Sequence, residues 1–205
     1  LVEQSLLVQR LELQHGDPDE LARERRLLEQ VKKLTELNPM LGTRGVRLAL
    51  LYPEIPVMQV RAIARAAFAV SAAGGEPKVE IMVPLVAFAE ELRRMRATIE
   101  QTLEEEFASS GQRFDYTIGT MIEIPRAAVV AAQIAEHADF FSFGTNDLTQ
   151  TGIGISRDDA EGSFLAAYQD QDVVPSNPFA TIDADGVAEL VRIGTTGGRQ
   201  TTPDL

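Results

Sequence analysis

Cysteine is absent from this chain of 205 residues, and histidine occurs only twice. The first absence excludes disulfides, thiolate metal sites and cysteine nucleophiles. His15 sits in a QHGDP turn and His137 near a helix end, both positions that suit a structural or solvent-facing side chain, and no Ser/His/Asp signature accompanies them. Basic residues are in deficit: 19 Lys and Arg face 31 Asp and Glu, a net charge of −12 spread along the chain. Without a basic stripe to neutralise phosphates, nucleic-acid binding is not expected. An anionic small substrate stays open if a metal and one or two arginines supply local positive charge. No apolar run reaches the length of a membrane span and the first residues show no signal peptide, so a cytoplasmic protein without a membrane partner is expected. Gly152-x-Gly154 lacks a third glycine at Arg157, which leaves no dinucleotide fingerprint.

What is present is enough apolar material, 44% of the residues, for one substantial core, and one domain over 1–205 is the default. The most informative stretch is 115–150. Apolar runs at 115–122 and 139–143 flank a segment with helical spacing, so the unit reads strand, helix, strand. Glu123 follows the first strand and Asp147 lies just beyond the second, twenty-four positions later. If the strands are parallel neighbours, both carboxylates reach the same C-terminal edge of the sheet. Such a pair suits Mg²⁺, which prefers oxygen ligands and is commonly held by one or two carboxylates plus substrate oxygens. The loop Gly144-Thr145-Asn146-Asp147 would add backbone N–H groups that a ligand can approach. The same residue preferences are met if Glu123 caps a helix starting at Pro125 and Asp147 caps a turn.

Elsewhere, Asp17-Pro18-Asp19-Glu20 marks a helix start, with Leu21, Leu28, Val31 and Leu34 as its apolar stripe and Asn38-Pro39 as its end. Leu11 and Leu13 suggest a short strand end. Residues 46–51 read as a buried strand, preceded by Arg44 between two glycines in a tight loop. Helical spacing over 55–71 stops at Gly74-Gly75. Residues 79–84 form a short strand, and Phe88, Leu92, Met95, Ile99 and Leu103 outline the clearest helix, with Glu104 to Glu106 solvated. From 151 to 182 glycines and prolines punctuate a long loop with one helical turn around Phe164 to Tyr168, its acids Asp170 and Asp172 solvated. Asp183 caps a last helix bearing Val187, Leu190 and Val191, and 194–205 reads as frayed. At least four strands alternating with helices predict a parallel α/β sheet. A (β/α)8 TIM-type barrel comes first and an open doubly wound sheet second. A whole barrel typically needs ~250 residues, so an incomplete one is expected here.

The segments NPMLGTRG at 38–45, EIMVPLV at 80–86, GTMIEIPRAA at 119–128 and FSFGTNDLTQ at 141–150 together resemble the pyruvate, phosphate dikinases, within the phosphoenolpyruvate-utilising enzymes. SRDDA at 156–160 and NPFATIDADGV at 177–187 extend the likeness, which spans about residues 26 to 205. The resemblance implies part of a C-terminal barrel that binds pyruvate or phosphoenolpyruvate and mediates homodimerisation. It implies Mg²⁺ on Glu123 and Asp147, a phosphate-binding Arg44, and substrate contacts from Gly144, Thr145 and Asn146. The implied reaction passes a phosphoryl group between a phosphohistidine on another domain of the same enzyme and the enolate of pyruvate. The family's acid/base cysteine is expected beyond the point where this chain stops, so no catalytic proton carrier is assigned. A second phosphate-binding arginine has no counterpart upstream, and Thr43 stands where the family carries histidine. The chain is expected to be inactive in the full reaction by itself. The competing readings are a phosphoenolpyruvate synthase, a self-sufficient Mg²⁺-enolate lyase or aldolase, and a non-catalytic oligomerisation remnant.

Overall fold

The computed structural model describes residue 23, residues 26–29 and residues 41–205. Two units divide at Gly42. Of the first, Arg23 and residues 26–29 are helical, in keeping with the helix expected there. Its cap and its stripe residues Leu21, Val31 and Leu34 lie outside the described residues, as do His15 and the strand end at Leu11 and Leu13.

The second unit is an α/β structure with three parallel strands in the order β1-β2-β3: β1 at Val79–Val83, β2 at Tyr116–Ile122 and β3 at Phe141–Phe143. The register sets Ile81 beside Ile118 and Thr120 beside Phe141. Below β3 the carboxylate of Asp139 extends the ladder, accepting from Ile118 N–H at 2.7 Å. Three strands, not four, are found among the described residues.

The missing strand is the segment Val46–Leu51, which is the helix α1. Six apolar-rich residues suit either state, and spacing alone does not decide between them. Tertiary packing decides. Val46 is fully buried and Ala49 and Leu50 pack on the core, while Leu51 is exposed, which is helical rather than alternating burial. Gly45 begins the helix at φ 55°, a backbone that favours glycine, and Pro53 ends it.

Helix α2, Glu54–Ala72, buries Val60, Ala64 and Ala67. By length and composition it is one helix among the described residues that would suffice to cross a membrane, which amends the reading that no run reaches that length. Its Arg61 and Arg65 instead pair with Glu105 and Glu106 of α3, Ala89–Ser110, so those acids bind α2 rather than facing water alone. Helix α3 buries Leu92, Met95, Ile99 and Leu103 as the spacing predicts, and Phe107 one turn further on. Phe88 does not join that stripe: it is the N-cap residue, and half of it is exposed.

Between β2 and β3 the expected single helix is two short ones, α4 at Pro125–Val129 and α5 at Ala131–Ala135, interrupted at Val130. After β3 the chain is more helical than its glycines suggest. Helices α6 at Thr145–Ile153, α7 at Arg157–Ser163 and α8 at Leu165–Asp170 occupy about half of the segment read as loop. The punctuating Gly154 is the left-handed cap of α6 (φ 78°), and Ser156 caps α7.

The tail is not frayed. Helix α9 runs over Val187–Thr201, with the Asp183 carboxylate accepting from Gly186 and Val187 N–H at 3.1 Å just ahead of it. Gly194 and Gly198 are buried, and a Cβ on Gly198 would lie 2.7 Å from the Phe141 ring. Thr201 also donates to the Ala132 carbonyl at 2.9 Å. From Gly194 on the docking face is built of glycine, so no apolar stripe announces that half of the helix.

Candidate functional site

Because the three strands are parallel, their C-terminal ends open on one edge. From β1 comes the loop at 84–88, from β2 comes Glu123, and from β3 come Gly144 and the first turn of α6. The motifs at 80–86, 119–128 and 141–150 are therefore brought together.

Glu123 is a buried carboxylate, 4% exposed. Its Oε1 accepts from Leu85 N–H at 2.7 Å. Burial pushes its carboxyl pKa up; the Leu85 hydrogen bond opposes that, the charge and a hydrogen bond of Asp147 add to it, and the Arg44 guanidinium works against it. Asp147 and Arg44, from two other segments of the chain, thus both act on Glu123.

Asp147 lies within the first turn of α6, not in the loop expected from the sequence. Asn146 Nδ2 donates to its Oδ1 at 3.2 Å. Thr151, one turn on, donates to the Asp147 carbonyl at 2.7 Å and lies 3.3 Å from that of Glu123, tying the two backbones together. The N–H groups of Thr145, Asn146 and Asp147 fall among the first-turn donors that a helix leaves without intrahelical partners, a site suited to anionic oxygen.

Gly144 has a steric reason to be glycine beside the ligand approach expected of it. Its φ is an ordinary −81°. A Cβ there would meet Glu123 Oε2 and the Met121 sulfur, each at 2.7 Å, so the missing side chain makes room for the carboxylate.

Leu85 carries strain. It is buried at φ 61°, a left-handed backbone that costs a non-glycine residue about 1–2 kcal/mol. Strain held at the residue that donates to Glu123 is what a functional edge retains.

One residue beside the site has no role assigned from the sequence. Arg157 approaches Asn146 Oδ1 at 3.4 Å, pairs with Glu161 at 3.4 Å and lies 5.5 Å over the Phe179 ring. Its signal is the SRDDA text, downstream of the site, whereas the second cationic group is expected upstream.

The donor set fits Mg²⁺. A buried and a half-buried carboxylate sharing one edge repel until a cation or proton intervenes, and both offer hard oxygen. Among the described residues no cluster of three or more His, Cys, Asp or Glu side chains forms a complete cage. Water and substrate oxygens would complete the coordination, as is usual for this ion.

Residues 18–202 match the model of the PEP-utilising enzyme, PEP-binding domain. The chain belongs to that family. Among its relatives are the pyruvate, phosphate dikinase of Rhizobium meliloti, 53% identical over 180 residues, and pyruvate, phosphate dikinase 2 of Zea mays, 51% identical over 178. That of Giardia intestinalis is 49% identical over 181 residues. These alignments cover 87%, 87% and 88% of this chain but 20% of each relative. The chain therefore corresponds to about a fifth of the length of those proteins.

Proposed function

We propose that this chain is the portion of a pyruvate, phosphate dikinase that holds pyruvate or phosphoenolpyruvate together with Mg²⁺. In the whole enzyme a phosphoryl group would pass between that acid and a phosphohistidine on another domain. The convergence of Glu123 and Asp147 on one sheet edge, with Arg44 acting on the same carboxylate, carries this reading. The parallel order β1-β2-β3 supports reading these as consecutive strands of a (β/α)8 barrel, and a homodimer assembled through such a barrel completes the proposal.

The side chains divide the work by charge. A divalent cation bound at Glu123 and Asp147 would supply Lewis-acid stabilisation of negative charge developing on a substrate oxygen. Arg44, whose charge acts on Glu123, would balance an anionic substrate, and Arg157, beside Asn146, would do the same. The first-turn amides of α6 offer N–H donors to carboxylate or phosphoryl oxygens. Leu85 N–H orients the Glu123 carboxylate, and Thr151 holds the backbones of Glu123 and Asp147 together. Proton transfer to the substrate carbon is assigned to no residue of this chain.

Calorimetry with oxalate, which presents two adjacent oxygens as pyruvate does, tests the reading. Binding should require Mg²⁺ and disappear in Asp147→Asn. Oxalate that binds equally with and without Mg²⁺, or not at all, overturns it.

A further inference from the structure

The loop at 84–88 reaches the site through one atom, the Leu85 N–H on Glu123 Oε1 at 2.7 Å. Left alone, a leucine would leave the left-handed region that aims this N–H. The loop is gripped on both sides. Upstream, Val46 N–H donates to the Pro84 carbonyl at 3.1 Å. Downstream, Glu91 Oε2 accepts from Ala87 N–H at 2.8 Å and Phe88 N–H at 2.9 Å. The remaining contact comes from a different element. Arg126, in the first turn of α4, donates from its guanidinium to the Ala87 carbonyl and lies 4.1 Å over the Phe88 ring.

Arg126 sits three residues after Glu123, so one short piece of chain supplies both the carboxylate and the clamp on the loop that orients it. Arginine suits the task because its planar fork donates to a carbonyl while its face stacks on an aromatic ring. We propose that Arg126 is a positioning residue. By holding Ala87 and Phe88 it keeps the Leu85 N–H on Oε1, which leaves Oε2 turned toward Gly144 and available to a cation. The consequence for cation binding rests on the metal-site reading above; the clamp itself does not.

Two measurements on the whole chain separate those claims. Arg126→Met keeps the apolar stem and removes the donor. Amide hydrogen exchange at Leu85 should accelerate about tenfold or more, because this hydrogen bond then opens locally, while exchange at Ile118 and Ile122 in β2 stays unchanged. Mn²⁺ titration in the presence of oxalate, followed by its paramagnetic relaxation of water, should show affinity weakened about tenfold at an unchanged unfolding midpoint. Arg126→Lys, which retains a donor for the Ala87 carbonyl, should recover a large part of both. Leu85 exchange at the wild-type rate in Arg126→Met overturns the proposal. Accelerated exchange in a chain whose wild type binds no Mn²⁺ upholds the clamp and sinks the metal-site reading instead.

Discussion

Gly144 and Glu123 are packed so closely that any side chain on the first would strike the second: a Cβ would come within 2.7 Å of Oε2 and 2.8 Å of the Glu123 Cβ. Gly144→Ala should therefore displace the carboxylate. Overpacking of this kind costs about 1–3 kcal/mol, read as a lowered denaturation midpoint. Mg²⁺-dependent oxalate binding should fall by more than that loss of stability implies, since the carboxylate is the part that moves. A Gly144→Ala chain with wild-type binding would show that Oε2 is not a ligand.

Burial and Asp147 hold the Glu123 carboxyl pKa above its unfolded value. The sign of its contribution is thus the reverse of a paired surface acid. Stability from this group is fully present below the unfolded carboxyl pKa and is lost as pH rises through the folded one. At neutral pH the cation-free chain should be stabilised by Glu123→Gln, by about 1–2 kcal/mol, since a buried charge is removed while an acceptor for Leu85 N–H remains. Thermal melts from pH 4 to pH 8 should show a flatter pH dependence for that variant. Oxalate binding should be lost at the same time, a trade of activity for stability.

Much of this edge is legible without coordinates. The carboxylates of Glu123 and Asp147 stand out because each follows a short β-rich run, and parallel pairing needs no further information to align strand ends. Met95 and its stripe stand out because α3 is long and strictly periodic. Residues 46–51 do not: six apolar-rich positions fit both periods, and only tertiary packing, with Val46 N–H on the Pro84 carbonyl and Ala49 and Leu50 on the core, settles the helix. Arg157 is hidden for another reason. Its partner Asn146 lies eleven positions away across the turn from α6 to α7, in a stretch whose glycines argue for loop.

The second half of helix α9, from Gly194 on, escapes the sequence for a reason that can be measured. Glycine in a helix interior costs about 1 kcal/mol relative to alanine, so alanine should stabilise where space permits. A Cβ on Gly162 of α7 would meet nothing within 4 Å, and Gly162→Ala should raise stability by roughly 0.5–1 kcal/mol. At Gly198 the same change drives a methyl to 2.7 Å from the Phe141 ring, and the sign should invert, with stability lowered by about 1–3 kcal/mol. Paired urea titrations check both. Stabilisation by Gly198→Ala would mean that α9 does not dock against β3.

Arg157 is engaged by Glu161 at 3.4 Å and reaches Asn146 at 3.4 Å, both long for charge-assisted hydrogen bonds. A guanidinium held loosely by two acceptors, with the Phe179 ring 5.5 Å beneath it, can be drawn to an arriving anion at little expense. If it serves the substrate, its partner on α7 competes with that substrate. Arg157→Met should weaken Mg²⁺-dependent phosphoenolpyruvate binding about tenfold, equivalent to about 1.4 kcal/mol. Glu161→Gln should strengthen it a few-fold by releasing the cation, and the double variant should behave as Arg157→Met alone, because the effect of Glu161 passes through Arg157. Raising salt should shrink the advantage of Glu161→Gln, since the competing pair is solvent-exposed. Calorimetry on the four chains decides the matter: additive effects would place Glu161 and Arg157 on separate tasks and remove Arg157 from the anion site.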